Sequence, residues 1–363
     1  MRVLVIGSGI AGAATAYHLA TDGAEVIIAD ASLPGAATEA GAGIVSPWTS
    51  RRTDADSAFS HAAARYYPEF AARLAEDGED SSYEVVGGMV VSADDAELAE
   101  AEARLAARAE VAPEVGKISR LDPASAREHF PPLAPDLGAV HLSGAGRVDG
   151  RRLRRAMLAA SRRHGVERVD AHVQLRPDGS VSMAGKPLDA DAVVVAAGAW
   201  TAELLAPLGI DVPVAPHRGQ ITHFDLPDTD TAAWPVIVPQ TSHYLLAFGG
   251  GRVVAGATRE RTSGFDHRVT AAGQSEILDN ALAVAPGLAD ATLVETRVGF
   301  RPGTPDDLPV LGAIRPGLIL ATGFGPAGLT LAPFTGKLLA ALILGKDVPF
   351  DLTPFAPGRF SSR

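Results

Sequence analysis

Short apolar runs that end on glycine recur at the start, middle and end of the chain. The run from Val3 to Ile6 leads into a small-residue helix from Ala11 to about Thr21, and a second apolar run, Val26 to Ala29, follows that helix. The runs at 193–198 and 318–323 have the same form. Apolar runs without alternation are typical of central strands in a parallel sheet that is covered on both faces. The pattern therefore predicts an α/β fold with parallel strands at its centre.

Segments with polar interruptions lie between these runs. Val212 to Phe224 and Tyr244 to Ala257 carry polar positions and a Gly249-Gly250-Gly251 turn, which favours antiparallel strands. One further strand is predicted at Tyr83–Ser92, and helical patterns cover Ala58–Glu76, Asp94–Ala109, Leu153–His164 and the residues after 323 as far as Leu344. The order predicts a first domain built from separated segments, with an antiparallel-sheet domain inserted into it.

The first parallel unit contains the motif Gly7-x-Gly9-x-x-Gly12 and ends on Asp30. In a strand–turn–helix–strand unit, these glycines permit the tight turn, the approach of a pyrophosphate to the backbone, and close helix packing. The positive end of the helix faces the phosphates. An acid at the end of the second strand accepts hydrogen bonds from a ribose diol. The unit predicts a dinucleotide site, although a glycine-rich turn without a ligand is the alternative.

Charge and length restrict the class of protein. The chain has 363 residues, a length that is ample for two domains. Its net charge of −11 argues against a general nucleic-acid binder. The basic run Arg151, Arg152, Arg154 and Arg155 could suggest a phosphate patch. We instead interpret it as the solvent-exposed face of a helix that begins after Asp149, because apolar residues lie between the arginines at helical spacing.

The absence of cysteine excludes disulfides, thiolate metal sites and cysteinyl-linked cofactors. The ten histidines show no metal-ligand spacing, so we predict no metal. No apolar stretch approaches the roughly 20 residues of a membrane span. The first strand begins at residue 2, which leaves no room for a signal peptide, so we expect a cytoplasmic protein.

A second group of motifs lies in the last third of the chain. Residues 295–312 contain Arg301-Pro302-Gly303-Thr304-Pro305-Asp306-Asp307, and residues 321–330 form a strand, a glycine-rich loop and a helix start. Such a loop can direct several backbone N–H groups and a positive helix end toward one acceptor. A purely structural helix cap is the alternative.

Taken together, these segments resemble the FAD-dependent amine oxidoreductase family of D-amino-acid oxidase, glycine oxidase, sarcosine oxidase and D-amino-acid dehydrogenase. The matching pieces keep the family order along nearly the whole chain: the N-terminal motif, 41–47, 195–200, His217-Arg218-Gly219-Gln220, 251–258, the Arg301 segment, 321–328, and the tail from Pro354 to Phe360.

The resemblance implies a Rossmann-like FAD-binding domain with an inserted antiparallel-sheet substrate domain. The FAD-binding domain would comprise residues 1–80, 140–215 and 296–363, and the substrate-binding domain 81–139 and 216–295. FAD is then the cofactor, held without a covalent bond, and no metal is needed. The residues implied to hold FAD are Gly7, Ser8, Gly9, Ile10, Ala11, Gly12, Asp30, Ala31, Gly43, Ile44, Ala197, Gly198, Gly323, Gly325, Pro326, Ala327, Gly328, Leu329 and Thr330.

Two further residues are implied to bind substrate. Arg301 stands where glycine oxidase-like members hold the substrate carboxylate, and the planar guanidinium suits a carboxylate because it donates two parallel hydrogen bonds. A salt bridge from Arg301 to Asp306 or Asp307 is the structural alternative. Tyr244 resembles the family tyrosine that adds a hydroxyl to the same carboxylate, and a packed tyrosine with its hydroxyl in solvent is the alternative.

The implied reaction is oxidation of an amine alpha to a carboxylate, in a D-amino acid, glycine or an N-alkyl amino acid. Hydride leaves the neutral amine, and the imino acid hydrolyses to a keto acid and ammonia or an amine. The partners would be this small substrate and oxygen or another electron acceptor, with no nucleic acid, no integral membrane segment and a possible homo-oligomer. Positioning and flavin electronics carry such a reaction without a side-chain base.

Three departures separate the chain from parts of the family. The strand Arg252-Val253-Val254-Ala255-Gly256 lacks the lysine of the sarcosine oxidases, the cysteine that attaches their flavin is missing, and Phe324 replaces a histidine that many members carry in the late glycine loop. A histidyl attachment through His61 stays open. The alternatives are a 2-hydroxy-acid oxidase or dehydrogenase, a flavin-binding protein without turnover, and an NAD-dependent dehydrogenase.

Overall fold

The computed structural model describes residues 1–51 and 55–360, and two large sheets dominate it. The first has six strands, all parallel to their neighbours except at the edge formed by 310–315. Its strands are, in spatial order, Val310–Arg315, Leu318–Thr322, Ala192–Val195, Arg2–Ile6, Glu25–Asp30 and Glu167–Asp170. The apolar runs predicted as central parallel strands therefore lie side by side.

The second large sheet has eight strands and is mainly antiparallel, with one parallel pair between 88–92 and 236–239. In spatial order they are Thr292–Gly303, Ala215–Asp225, Arg252–Gly256, Tyr244–Ala247, Val236–Pro239, Gly88–Ser92, Gly138–Leu142 and Ile118–Leu121. The predicted strand Tyr83–Ser92 is split into Glu84–Val85 and Gly88–Ser92, because Gly87 adopts a φ of 78° that interrupts the extended backbone.

The predicted helices are present in the described residues, and the structure adds three short helices and one of 14 residues, Ala271–Val284, that the sequence analysis did not predict. They are Ile10–Thr21, Ala37–Ala40, Ala55–Glu76, Asp95–Ala109, Pro123–His129, Gly150–Arg163, Thr201–Leu205, Ala271–Val284 and Gly328–Ile343. Two three-stranded sheets complete the fold: Val173–Leu175 with Val181–Met183 and Lys186–Leu188, and Ile44–Val45 with Gly146–Arg147 and Glu84–Val85.

The six-stranded sheet is buried on both faces, as its unalternated sequence predicts. Val3 and Val5 belong to the core shared with the helices Ile10–Thr21 and Gly328–Ile343, whereas Leu4 and Ile6 face a second apolar cluster on the other side. Both clusters exclude water from the strand, so every position must be apolar.

The eight-stranded sheet presents two different faces at its centre. Leu245 and Val253 pack with the helix Ala271–Val284, whereas Leu246 and Val254 form a smaller cluster on the opposite face. Side chains in a strand alternate between faces, so Tyr244 projects to the same side as Leu246. That face is turned toward the segment at 41–44.

The predicted domain limits fall inside three strands of the eight-stranded sheet, although the limit at 215 separates only the first residue of Ala215–Asp225. Gly138–Leu142 crosses the limit at 140, and Thr292–Gly303 crosses the limit at 296. A strand belongs to one sheet for as long as its ladder hydrogen bonds continue, so we move these limits to 142 and 303. The division into two domains stays a prediction.

One helical segment of the described residues, Gly325–Ile343, which joins a 3₁₀ turn to the helix Gly328–Ile343, is long and apolar enough to cross a membrane by length and composition alone. About two thirds of it (67%) is buried inside the protein. Gly336 permits this packing, since a Cβ there would lie 2.6 Å from the backbone of Ala14 in the first helix. The segment is therefore a core helix, and the sequence expectation of no apolar stretch of that length is corrected.

Candidate active site

A cavity of about 1060 Å³ is lined by residues from both large sheets. It extends from the carboxyl ends of the parallel strands, near Gly7 and Asp30, to the inward face of the eight-stranded sheet, near Tyr244 and Arg301. Ligands of open α/β sheets bind outside the carboxyl ends of the strands. The volume is at the upper end of ordinary ligand pockets, which suits a long ligand with a second molecule beside it.

The first glycine-rich loop forms one end of this cavity. Gly7 has a φ of 101°, and a Cβ there would lie 2.4 Å from the carbonyl oxygen of Ala196. A Cβ at Gly9 would meet only the hydroxyl of Thr38, at 3.5 Å, so protein packing does not require glycine at that position. Gly9 instead leaves backbone open to the cavity, as a close-approaching phosphate requires.

Asp30 is held firmly at the end of its strand. Its Oδ2 accepts hydrogen bonds from the backbone N–H of Ser8 at 2.5 Å and from the Ser8 hydroxyl at 2.7 Å. Its Oδ1 accepts one from the N–H of Ser32 at 2.6 Å. Burial alone would raise the pKa of Asp30, but these hydrogen bonds outweigh it, and the pKa lies below its usual value. The carboxylate is therefore ionised and acts only as an acceptor.

Two further segments line the middle of the cavity. Ala197 and Gly198 border it, and the Gly198 carbonyl accepts hydrogen bonds from the hydroxyls of Thr201 at 2.8 Å and Thr322 at 3.0 Å. On the opposite side, a Cβ at Gly43 would lie 1.7 Å from the carbonyl oxygen of Val148, so only glycine allows this loop to pass so closely. Ile44 follows Gly43 and also borders the cavity.

The late glycine loop closes the cavity near the start of the last helix. A 3₁₀ turn, Gly325–Ala327, leads into Gly328–Ile343, so the helix N-terminus and its positive dipole end face the cavity. The Thr330 hydroxyl donates to the carbonyl oxygen of Ile44 at 3.0 Å, which joins this loop to the segment opposite it.

Most residues predicted to hold the cofactor border the cavity, but Ser8, Gly12 and Gly323 do not. Gly12 supports the turn, because a Cβ there would lie 1.8 Å from the Gly7 carbonyl oxygen. Gly323 has a φ of 75°, and a Cβ there would lie 2.8 Å from the side chain of Thr304. Ser8 is bound to Asp30. These three residues therefore support the loops that line the cavity without lining it themselves.

Arg301 lies in the cavity with half of its guanidinium available. Its Nη1 donates to the carbonyl oxygen of Thr258 at 2.9 Å and to that of Arg218 at 3.4 Å. Its Nε and Nη2 make no hydrogen bond to the residues that the structure describes. Gly219 makes room for the group, because a Cβ there would lie 2.3 Å from Nη2. One two-donor edge is thus presented to a ligand.

The alternative role for Arg301, a salt bridge to Asp306 or Asp307, is wrong. Asp306 pairs with Arg359 at 2.8 Å, and Asp307 lies 3.5 Å from Arg261. Within residues 1–51 and 55–360, Arg301 forms no ion pair with either acid. Each of these carboxylates therefore pairs with another arginine, and neither neutralises the charge of Arg301.

Tyr244 borders the same part of the cavity, with its ring against Gly256. A Cβ at Gly256 would lie 2.7 Å from the Tyr244 hydroxyl oxygen. Burial raises the pKa of Tyr244, and the charges of Arg301 and Arg259 only partly oppose it. The hydroxyl is therefore protonated at neutral pH and can donate a hydrogen bond. It makes none to the described residues, and its role in binding substrate stays a prediction.

The sequence motifs did not single out Arg259, which also lines the cavity. Its only hydrogen bond among the described residues runs from Nη2 to the Ser242 carbonyl oxygen at 3.4 Å, and it forms no ion pair there. The neighbouring acid Glu260 is taken by Arg218, at 2.5 Å. Arg259 follows the glycine-turn strand, in a segment that carries two more charged residues, so sequence alone did not distinguish it.

Three other sequence interpretations meet the structure differently. His61 lies in the helix Ala55–Glu76 with its ring 5.0 Å from that of Trp48, and it does not line the cavity. Phe324 does line it. The solvent-exposed interpretation of the arginine run is wrong for Arg154, whose guanidinium donates to the Ser8 backbone and hydroxyl behind the first glycine loop.

Comparison with known proteins agrees with this geometry. A family model described as DAO, FAD dependent oxidoreductase, matches residues 2–342. The chain is 47% identical over 363 residues to the uncharacterised oxidoreductase YurR of Bacillus subtilis strain 168, covering 98% of each protein. It is 32% identical over 370 residues to the glycine oxidase of Pseudomonas putida KT2440, again covering 98% of each.

Solved structures give the same result. The crystal structure of iminodiacetate oxidase (IdaA) from Chelativorans sp. BNC1 has a TM-score of 0.96 and 46% sequence identity, covering 98% of this chain and 99% of that one. Glycine oxidase from Geobacillus kaustophilus has a TM-score of 0.86 and 29% identity, covering 99% of both chains.

Proposed function

The chain belongs to the family of FAD-dependent oxidoreductases, and on that premise we propose that it oxidises a secondary or primary amine flanked by carboxylates. The product would be an imino acid, which water hydrolyses to an oxo acid and the remaining amine. FAD is the cofactor of this family, so an NAD-dependent dehydrogenase no longer fits. The cytoplasmic location stays a prediction.

The residues around the cavity fit an FAD. Gly9 leaves backbone open where a pyrophosphate would lie, and the ionised Asp30 carboxylate retains acceptor capacity for a ribose hydroxyl. Ala197, Gly198, Gly43 and Ile44 would border its middle, and the residues from Gly325 to Thr330 its far edge. When bound, FAD supplies the two-electron oxidant.

One observation carries the substrate proposal: two guanidiniums, Arg301 and Arg259, line the cavity without a carboxylate partner among the described residues. Arg301 is half-buried, and a cation in such a place without a counter-ion favours an anionic ligand, whereas Arg259 is exposed at the cavity wall and has no acid of the described residues paired with it. Arg301 would bind the carboxylate next to the reacting carbon, with Tyr244 donating to it. Arg259 would bind a second carboxylate. The substrate would then be a dianionic amine rather than glycine itself.

The comparisons support this choice without deciding it. A structure with 46% identity is that of an iminodiacetate oxidase, and iminodiacetate carries two carboxylates on the carbons attached to one nitrogen. The glycine oxidases are less similar in sequence, at 32% and 29% identity. The higher identity to the iminodiacetate oxidase agrees with the second unpaired guanidinium in this cavity, that of Arg259.

The direct test is anaerobic mixing of the purified flavoprotein with a panel of candidates. The panel contains iminodiacetate, glycine, sarcosine, D- and L-amino acids with acidic and neutral side chains, and 2-hydroxy acids. We expect iminodiacetate or another acidic amine to bleach the oxidised flavin at about 450 nm fastest. Bleaching only by hydroxy acids would replace the proposal with the 2-hydroxy-acid alternative, and bleaching by none would favour a flavoprotein without turnover.

Replacing Arg259 with glutamine is expected to change substrate selectivity. The kcat/KM for a dicarboxylic amine should fall by about 10- to 100-fold relative to that for a monocarboxylic amine, because one charge-assisted hydrogen-bonded pair is lost. Steady-state kinetics on iminodiacetate and sarcosine measures the ratio.

Arg261 provides the matched control for Arg259. It also lines the cavity and is exposed like Arg259, but it lies beside an acid, Asp307. Arg261→Gln should leave the ratio nearly unchanged. Equal losses on both substrates in the Arg259 variant would contradict a subsite for the second carboxylate.

Replacing Tyr244 with phenylalanine is expected to raise KM about tenfold and to change kcat less, because one hydrogen bond to the bound carboxylate is lost while the ring is kept. Tyr83→Phe is the control, since Tyr83 packs against Tyr67 and does not line the cavity. An unchanged KM in the Tyr244 variant would show that its hydroxyl does not contact the substrate.

A further inference from the structure

The guanidinium of Arg154 is inserted behind the first glycine-rich loop. From the helix Gly150–Arg163, its Nε donates to the Ser8 carbonyl oxygen at 2.5 Å and its Nη2 to the Ser8 hydroxyl at 2.7 Å. Its Nη1 donates to Glu39 at 3.1 Å. We propose that Arg154 is a positioning residue for FAD, which fixes the adenosine end of the site through Ser8 and Asp30 without contacting the cofactor.

The donor and acceptor roles along this chain of contacts have only one solution. A guanidinium can only donate, and an ionised carboxylate can only accept. The Ser8 hydroxyl must therefore accept from Arg154 and donate its proton to Oδ2 of Asp30, 2.7 Å away. Removing Arg154 frees the hydroxyl to rotate, and the alignment of Asp30 is no longer enforced.

The relay also determines which carboxylate oxygen of Asp30 can take a ligand. Oδ2 accepts two hydrogen bonds, from the Ser8 N–H and hydroxyl, and so has no capacity left. Oδ1 accepts only from the Ser32 N–H at 2.6 Å and keeps a lone pair. Asp30 lines the cavity, so Oδ1 is the oxygen we assign to the ribose hydroxyl.

The third donor of Arg154 joins this relay to a second segment that lines the cavity. Glu39 lies in the short helix Ala37–Ala40, directly before the loop that contains Gly43. Its carboxylate accepts from Arg154 at 3.1 Å and forms an ion pair with Arg151 at 3.1 Å, and the Arg151 Nε donates to the Glu39 backbone carbonyl oxygen at 2.9 Å. The Arg154 side chain thus links the first glycine-rich loop, at Ser8, to the helix that precedes the Gly43 loop, at Glu39.

The experiment measures FAD affinity, so it does not depend on the identity of the amine substrate. FAD is removed from the wild type and from Arg154→Ala, Arg154→Lys and Arg155→Ala, and each apoprotein is titrated with FAD by fluorescence quenching. Arg155 is the matched control, because it is exposed on the same helix and makes no hydrogen bond or ion pair within the described residues. Competition by ADP reports on the adenosine half alone.

We expect Arg154→Ala to weaken FAD binding by about 10- to 100-fold, with a similar loss for ADP, and Arg155→Ala to stay within twofold. Arg154→Lys should be intermediate, because one ammonium cannot replace the three nitrogens that contact Ser8 and Glu39 together. The melting temperature of the apoprotein should match that of Arg155→Ala.

Three results would overturn the proposal. The first is an FAD affinity within threefold of wild type in Arg154→Ala. The second is weaker FAD binding with unchanged ADP binding, which would place the effect at the flavin end. The third is an apoprotein that melts well below the Arg155 variant, which would make Arg154 a general stabilising residue. If the alanine variant does not fold, the same criteria apply to Arg154→Lys.

Discussion

Arg301→Ala should lower kcat/KM for the carboxylate-bearing amine by about 30- to 4,000-fold. Removing one partner of a buried, hydrogen-bonded charge pair costs about 2 to 5 kcal/mol, and each 1.4 kcal/mol is a factor of about ten. The free Nε–Nη2 edge would supply both hydrogen bonds to the carboxylate. Steady-state kinetics measures the loss, and the visible spectrum should show that FAD stays bound.

Two companions make the Arg301 result specific. Arg301→Lys should recover only part of the activity, because an ammonium keeps the charge but not the planar two-donor fork. Arg297→Ala is the matched control from the same strand, since Arg297 pairs with Glu295 at 2.5 Å and does not line the cavity. A kcat/KM for Arg301→Ala within tenfold of wild type would remove the carboxylate anchor from the proposal.

Gly219→Ala should displace the Arg301 guanidinium while leaving its chemical groups unchanged. The added Cβ would lie 2.3 to 2.4 Å from three atoms of the Arg301 guanidinium. Gly219 does not have a positive φ, so alanine causes no backbone strain there. The clash is relieved most cheaply by moving the flexible end of Arg301. We therefore expect kcat/KM to fall by about 10²-fold, since a displacement of about 1 Å can cost that much.

The Gly219 result is checked by stability and by a double variant. The melting temperature should change little, and Gly249→Ala, where the nearest atom to the new Cβ is 3.7 Å away, should leave both properties unchanged. Because Gly219 would act only through Arg301, the double variant should be no slower than Arg301→Ala alone. Additive losses would show that Gly219 has a separate role.

Both variants probe an arrangement that the eight-stranded sheet creates. Gly219 lies on the strand Ala215–Asp225, and Arg301 lies on the neighbouring strand Thr292–Gly303. These strands are far apart in the chain, since Arg301 donates a hydrogen bond to the carbonyl oxygen of a residue 83 positions earlier, Arg218. Antiparallel pairing places Arg301 opposite His217 and therefore diagonal to Gly219 on the same face of the sheet. A glycine that seems to be an ordinary strand residue in the sequence therefore makes room for the guanidinium that we propose as the substrate anchor.

The local units could be predicted because their causes are local. The turn at Gly7 needs a positive φ, Gly9 leaves its backbone open to the cavity, and the strand before them is buried on both faces. Each of these requirements can be recognised from a sequence segment of about thirty residues. Most of the long helices could be predicted for the same reason, since their apolar spacing and caps lie within the segment, but Ala271–Val284 was not predicted. Asp149, for example, caps the helix Gly150–Arg163 by accepting from the N–H groups of Arg151 and Arg152.

The pairing of charges could not be predicted in this way. Sequence proximity suggested that Asp306 or Asp307 neutralises Arg301, but Arg359 and Arg261 take these acids. The basic run at 151–155 suggested a uniform solvent-exposed face, yet Arg154 reaches Ser8, 146 positions away. A side chain pairs with the nearest suitable group in space, and that group is supplied by folding.

The sequence by itself determined the family, the parallel core, the dinucleotide motif and the identity of Arg301 as a candidate anchor, because each rests on residues that are adjacent or on motifs kept in order. Only the tertiary structure decided which cations stay unmatched in the cavity, which glycine makes room for a guanidinium, and which arginine supports Asp30. Those properties depend on distances between segments far apart in the chain, and electrostatic energies depend on distance and burial rather than on sequence order.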